Sequence, residues 1–126
     1  MTQKLTADQI RQMEEIQDYQ RVTDRLKHLV AELEANRAGQ TRTIQHLCEK
    51  IANETSQMRQ RALSSGIGTI ADVAGAMSVM AGRGGGVLLK IRGLADGVNS
   101  LQMQLEAALR QATKPPEPKS QPKNPA

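Results

Sequence analysis

The sequence predicts an all-α fold, and three observations predict it. Apolar side chains recur at heptad spacing along residues 16–58. Aromatic residues are almost missing. A second apolar line, stepping alternately by four and three, runs through residues 87–108. In the first stretch the a positions are Ile16, Thr23, Val30, Arg37, Ile44, Ile51 and Met58, and the d positions are Tyr19, Leu26, Leu33, Gln40, Leu47, Glu54 and Arg61. A repeat near 3.5 residues keeps one side of a helix against a partner, so this stretch reads as a coiled coil. Among 126 residues there is no Phe, no Trp and a single Tyr, Tyr19. Aromatic rings carry the largest apolar area in ordinary cores, and a core without them suits helix seams better than a sheet sandwich. Three parts are expected: a coiled-coil region at 1–63, a small-residue apolar helix plus a C-terminal amphipathic helix at 64–112, and a disordered Pro/Lys tail at 113–126.

The first helix has a clear start. Thr6 and Gln9 have the spacing of a capping box, and Asp8 sits where the helix dipole favours negative charge. No Gly or Pro follows until Gly39, and Arg11/Glu15 and Lys50/Glu54 stand four apart with opposite sign. Gly39 can end one helix, with Thr41 or Thr43 starting another, which would give a helical hairpin. Because the heptad phase runs through 37 and 40 without a skip, and one Gly costs a helix only about 1 kcal/mol, a single long helix is expected instead. Arg37 and Gln40 then form a polar layer or face water.

Ser64, Ser65, Gly66 and Gly68 should break this helix near Leu63. Residues 69–81, TIADVAGAMSVMA, are apolar almost all round. Small residues recur there at four-residue spacing, as in Gly68, Asp72 and Ala76, in Ala71 and Gly75, and in Ala74 and Ser78. Such spacing lets two helix backbones approach closely. Residues 82–86 form a flexible glycine loop. The last helix carries Val87, Ile91, Leu94, Val98, Leu101, Leu105 and Ala108 on one line, with Gly93 and Gly97 weakening it. All five prolines lie in the tail, with P-x-x-P spacing at Pro115/Pro118 and Pro122/Pro125.

Charge and motif content exclude several function classes. The net charge is +4, yet residues 1–63 carry ten Lys/Arg against nine Asp/Glu, interleaved as on a solvated helix face. That pattern argues against nucleic acid as a partner. A lone cysteine, Cys48, rules out an internal disulfide and fits a reducing compartment. No leader peptide is expected from the polar first twenty residues. His46 and Cys48 are two apart and His28 is distant, which falls short of a metal site. The glycine loop lacks the Lys-Ser/Thr of a phosphate-binding loop. Asn53, Glu54 and Thr55 match a glycosylation sequon but lie in an expected helix. No nucleophile–base arrangement stands out, so the chain is read as a non-enzyme without cofactor or small-molecule substrate.

Residues 62–82 are long enough to cross a bilayer, but Asp72 near their middle would cost about 2.5–3.5 kcal/mol. A buried helix of a bundle is the favoured reading, with membrane association through residues 64–89 as the alternative. In that case Arg83, Lys90 and Arg92 would meet anionic headgroups. Residues 67–75 (IGTIADVAG) and 92–98 (RGLADGV) resemble short pieces of apolipoprotein L-type proteins, although those occur in the opposite order within a longer chain. The resemblance implies lipid or membrane contact.

The function expected from these features is a non-catalytic assembly or adaptor protein, cytoplasmic or membrane-associated, working through helix–helix contact. A helix of about 58 residues would be about 87 Å long, more than the C-terminal helix can cover. The uncovered seam, Ile16, Tyr19, Leu26, Val30, Leu33, Ile44, Leu47, Ile51 and Met58, then calls for a second copy or a partner helix. Gly68, Ala71, Asp72, Gly75, Ala76 and Ser78 form the small-residue packing or membrane segment.

Overall fold

The chain forms four helices: α1 (Ala7–Ala35), α2 (Thr41–Ser65), α3 (Gly68–Gly82) and α4 (Val87–Ala112). They are seen in a computed structural model that describes residues 5–114. The proline tail expected from 113 onward lies, from Pro115, outside the described residues. Each helix packs on two others. α1 touches α2 and α4, α3 touches α2 and α4, and the diagonal pairs do not meet. Neighbours are antiparallel, as their partners show: Asp18 meets Arg61, Gln9 meets Lys114, and Ser78 meets Ala52. The result is a four-cornered bundle around one core.

α1 begins with the predicted capping box. The Gln9 N–H donates to Thr6 Oγ1 at 3.1 Å, and the Thr6 N–H donates to Gln9 Oε1 at 2.8 Å. Its buried face is Ile16, Tyr19, Thr23, Leu26, Val30 and Leu33, the a/d set of the sequence without exception. Thr23 is tolerated there because its hydroxyl donates to the Tyr19 carbonyl at 2.8 Å.

The single long helix is not formed; the chain turns between Ala35 and Thr41. Asn36 ends α1, its backbone N–H and its Nδ2 both donating to the Glu32 carbonyl. The Gly39 N–H then donates to the Asn36 carbonyl at 2.8 Å, and a Cβ on Gly39 would sit only 3.1 Å from that oxygen. Arg37 and Gln40 therefore belong to a turn and form no polar layer. Their polarity already matched a turn, and a five-residue connection happens to preserve the heptad count.

α2 buries Leu47, Cys48, Ile51, Thr55, Met58 and Ala62. The stripe is rotated from the expected one: Cys48, Thr55 and Ala62 lie one residue past Leu47, Glu54 and Arg61. Glu54 and Arg61 turn outward and reach α1, Glu54 to Arg25 and Arg61 to Asp18, each at 3.0 Å. Glu54 thus pairs across the hairpin and not with Lys50, and Arg11 pairs with Asp8 at 3.2 Å instead of Glu15. Thr55, like Thr23, donates to the carbonyl four residues back. α2 ends where expected, on Gly66 in the left-handed region (φ 77°), with the Ile67 N–H closing back on the Ala62 carbonyl at 2.9 Å.

α3 contributes Ile70, Ala71, Ala74, Met77 and Ala81 to the core. Gly93 and Gly97, which weaken the sequence line of α4, turn out to be sockets. A Cβ on Gly97 would lie 2.6 Å from Cγ and Sδ of Met77, and one on Gly93 would collide with Met80. The methionines of α3 occupy the room these glycines leave. Gly97→Leu should therefore lower stability by about 1–3 kcal/mol. Met77→Ala in the same chain should return part of that loss, a coupling readable by denaturant titration in a double-mutant cycle.

Candidate functional site

The expected interaction seam is interior. Tyr19, Leu26, Leu33 and Ile51 are fully buried, Ile16, Val30, Leu47 and Met58 nearly so, and Ile44 is half-buried at the start of α2. They are brought together by the hairpin turn, and α3 and α4 close over them. The seam that a long helix would have left open is thus covered by the chain itself.

A polar ladder runs along the hairpin's flank between α1 and α2. The Ser65 hydroxyl donates to Glu15 at 2.6 Å and lies 3.4 Å from the Tyr19 hydroxyl. The Arg61 guanidinium sits 5.0 Å from the centre of the Tyr19 ring while pairing with Asp18. The Arg25–Glu54 pair continues the ladder toward the turn. Beside it, Asp24, His28, Leu29, Lys50 and Asn53 line a shallow depression between α1 and α2. Its rim is charged and its floor is Leu29. His28 already engages the Asp24 carbonyl through Nδ1 at 2.8 Å. Sequence periodicity gave no hint of this feature, because its residues come from the outer faces of two helices.

The small-residue segment divides by face. Ala71 is buried against α2, and Gly75 and Ser78 are half-buried there. A Cβ on Gly75 would lie 3.0 Å from Cδ of Arg59, and Ser78 donates to the Ala52 carbonyl at 3.4 Å. Gly68, Asp72 and Ala76 face outward. The four-residue spacing thus serves close approach of α3 to α2, while the other small line stays free. No helix among the described residues is long and apolar enough to cross a membrane. α3, with 15 residues, is about 22 Å long, against a hydrocarbon layer of about 30 Å.

Among the described residues no group of three or more His, Cys, Asp or Glu is placed to hold a metal ion. Cys48 is buried on the core side of α2, while His46 is exposed. Large apolar side chains do reach solvent. Val79, Leu88, Leu89 and Met103 lie on α3 and α4, and Ile10 and Leu63 lie at the far end of α1 and α2. Leu88 and Leu89 are 65% and 73% exposed. They fall off the 87–91–94 line, and that is the signal by which the sequence could have marked them.

Compared with known proteins, the chain matches no family model, no curated protein and no solved structure. The short likeness of 67–75 and 92–98 to apolipoprotein L-type sequences therefore assigns no family.

Because the seam is interior, a charge placed in it breaks the fold before it reports on any partner. Leu33→Asp, at a fully buried site, should abolish the cooperative far-UV dichroism transition and not yield a folded protein of altered mass.

Proposed function

We propose that the protein is a non-catalytic assembly protein of the cytoplasm that works through helix–helix contact, its partner a second copy of the chain. One observation carries this reading: the apolar stripe of α2 is covered by the shortest helix, which joins the α1–α2 hairpin through a single left-handed glycine. α3 has 15 residues against 25 for α2. Three of its five buried residues are alanines. It hangs between Gly66, held at φ 77°, and a loop containing Gly85 at φ 121°. Exchange of the α3–α4 pair between two copies, hinged at Gly66, would re-form the α2–α3 and α1–α4 contacts in trans and leave the α1–α2 and α3–α4 contacts within each copy. Domain exchange is a low-cost route to a dimer for this reason. The seam residues Ile16 to Met58 then act as the receiving surface without ever facing water.

The proposal is tested by clamping α3. Ala52→Cys with Ser78→Cys, in a Cys48→Ala background, places two thiols where the side chain of Ser78 meets the Ala52 carbonyl. The reduced protein should show a concentration-dependent dimer in light scattering, and the oxidised protein should stay monomeric. Gly66→Ala should push the same equilibrium toward dimer. A left-handed Ala costs about 1–2 kcal/mol, and an opened hinge relieves it. A wild-type chain that stays monomeric at every concentration, together with a monomeric Gly66→Ala variant, would exclude the exchange.

A second reading, membrane association through residues 64–89, is favoured by one specific observation. Val79, Leu88 and Leu89 are exposed on this segment or at its edge. Since the inner face of α3 is engaged with α2, such association would be at the surface and not a crossing.

A further inference from the structure

We propose that the end of the bundle formed by the α3–α4 loop and the first turns of α4 is a docking tip for anionic lipid bilayers. This rests on the second reading above and assigns it a site different from the long face of α3. Leu88 and Leu89, the first 65% and the second 73% exposed, are adjacent at the start of α4. Arg83 precedes them, and Lys90 and Arg92 follow. None of these three cations forms an ion pair among the described residues. The antiparallel topology brings the α1–α2 turn to the same end, adding Arg37 and Arg42, against which stand Glu32 and Glu34. At the opposite end, by contrast, Arg11 and Arg61 are tied to Asp8 and Asp18.

The pattern fits a fluid anionic surface and not a partner helix. A helix laid in a groove reads apolar anchors at i, i+3, i+4 and i+7. Beyond Leu88 and Leu89 the outer line of α4 runs through Arg92, Asp96 and Asn99 before it reaches the exposed Met103, so three polar positions separate the leucines from the next apolar side chain and no such stripe forms. Two neighbouring leucines ringed by lysine and arginine instead match the layering of a bilayer. Apolar groups enter the acyl boundary, and cations stay with the phosphates. The loop itself is unencumbered, since a Cβ at Gly84 or Gly86 would meet nothing within 4 Å. The closed fold does not require glycine at those two places. Their lack of side chains lets the backbone lie against headgroups and leaves the leucines as the protruding groups.

The test is flotation of the full chain with vesicles of phosphatidylcholine containing phosphatidylglycerol, against phosphatidylcholine alone. The wild type should float with the anionic vesicles and not with the neutral ones, and raised salt should release it. Leu88→Ser with Leu89→Ser should weaken binding at least tenfold with an unchanged melting temperature. Arg83→Gln with Arg92→Gln should weaken it roughly thirtyfold, at about 1 kcal/mol for each charge near the surface. Val79→Ser on α3, and Ile10→Ser with Leu63→Ser at the opposite end, should bind as the wild type does. Loss of binding in Val79→Ser with retention in the leucine pair would overturn the tip while leaving membrane association standing. Protein that never floats would overturn both. Retention of short duplex DNA without vesicle binding would also overturn the tip, assigning its cations to a nucleic acid.

Discussion

A core without Phe or Trp closes only if its helices come close together. That constraint shapes this bundle more than any single contact. Tyr19 is the one large ring available, and it is spent at the α1–α2 interface. Everywhere else the interior is filled by Leu, Ile, Val, Met and Ala. Dense packing at interior values then demands short distances between axes. The chain meets the demand with paired size differences. Met77 and Met80 from α3 enter the space left by Gly97 and Gly93 of α4, and Arg59 of α2 lays its stem over Gly75 of α3. Glycine normally costs a helix about 1 kcal/mol relative to alanine. Here that cost is offset by dispersion contacts a wider helix would exclude.

The α1–α2 hairpin solves the same problem in a different way. Its apolar stripe is continuous, and two buried threonines interrupt it without leaving an unsatisfied group, each hydroxyl donating to its own helix. The salt bridges along its flank are partly exposed, with Arg25 and Arg61 still 58% and 44% accessible in their side chains. Pairs of this kind contribute little to stability. Register must therefore come from the a/d stripe and from the turn at Asn36 and Gly39. The ladder from Glu15 to Glu54 is better understood as compatible with that register than as its cause.

Much of this was legible in the residues. The stripe of α1, the line of α4 and the capping box could all be read position by position, because each is set by local periodicity or local hydrogen bonding. The turn at Gly39 departs from the continuous heptad phase for an identifiable reason. Phase continuity counts as evidence only where apolar residues carry it, and positions 37 and 40 are Arg and Gln. The rotation of α2 was hidden because its extra buried residues, Cys48, Thr55 and Ala62, are small and weakly hydrophobic. Which face such residues show is decided by what packs on them, in this case α3. Gly93 and Gly97 looked like defects since the methionines that need them lie on another helix. Tertiary partners of this sort leave no trace in a one-dimensional pattern.

The covered seam also constrains how the protein could associate. Leaving α2 bare would expose Leu47, Ile51 and Met58, each worth about 1.5–3 kcal/mol when fully buried. Added to the losses on α3 itself, from Ile70 and Met77, this is comparable with the whole stability of a small domain, about 5–15 kcal/mol. An open, unpartnered α2 is therefore not a state the chain can hold at rest. Exchange between two copies avoids the difficulty, because the same side chains are buried in both forms and only the hinge conformation and the association entropy differ. Those differences are small enough for one residue to tip, and Gly66 occupies the position where strain would do so. The same argument separates assembly from lipid contact. Leu88 and Leu89 are already outside the core, so the proposed docking through them would require no opening and is compatible with the proposed exchange on one folded bundle.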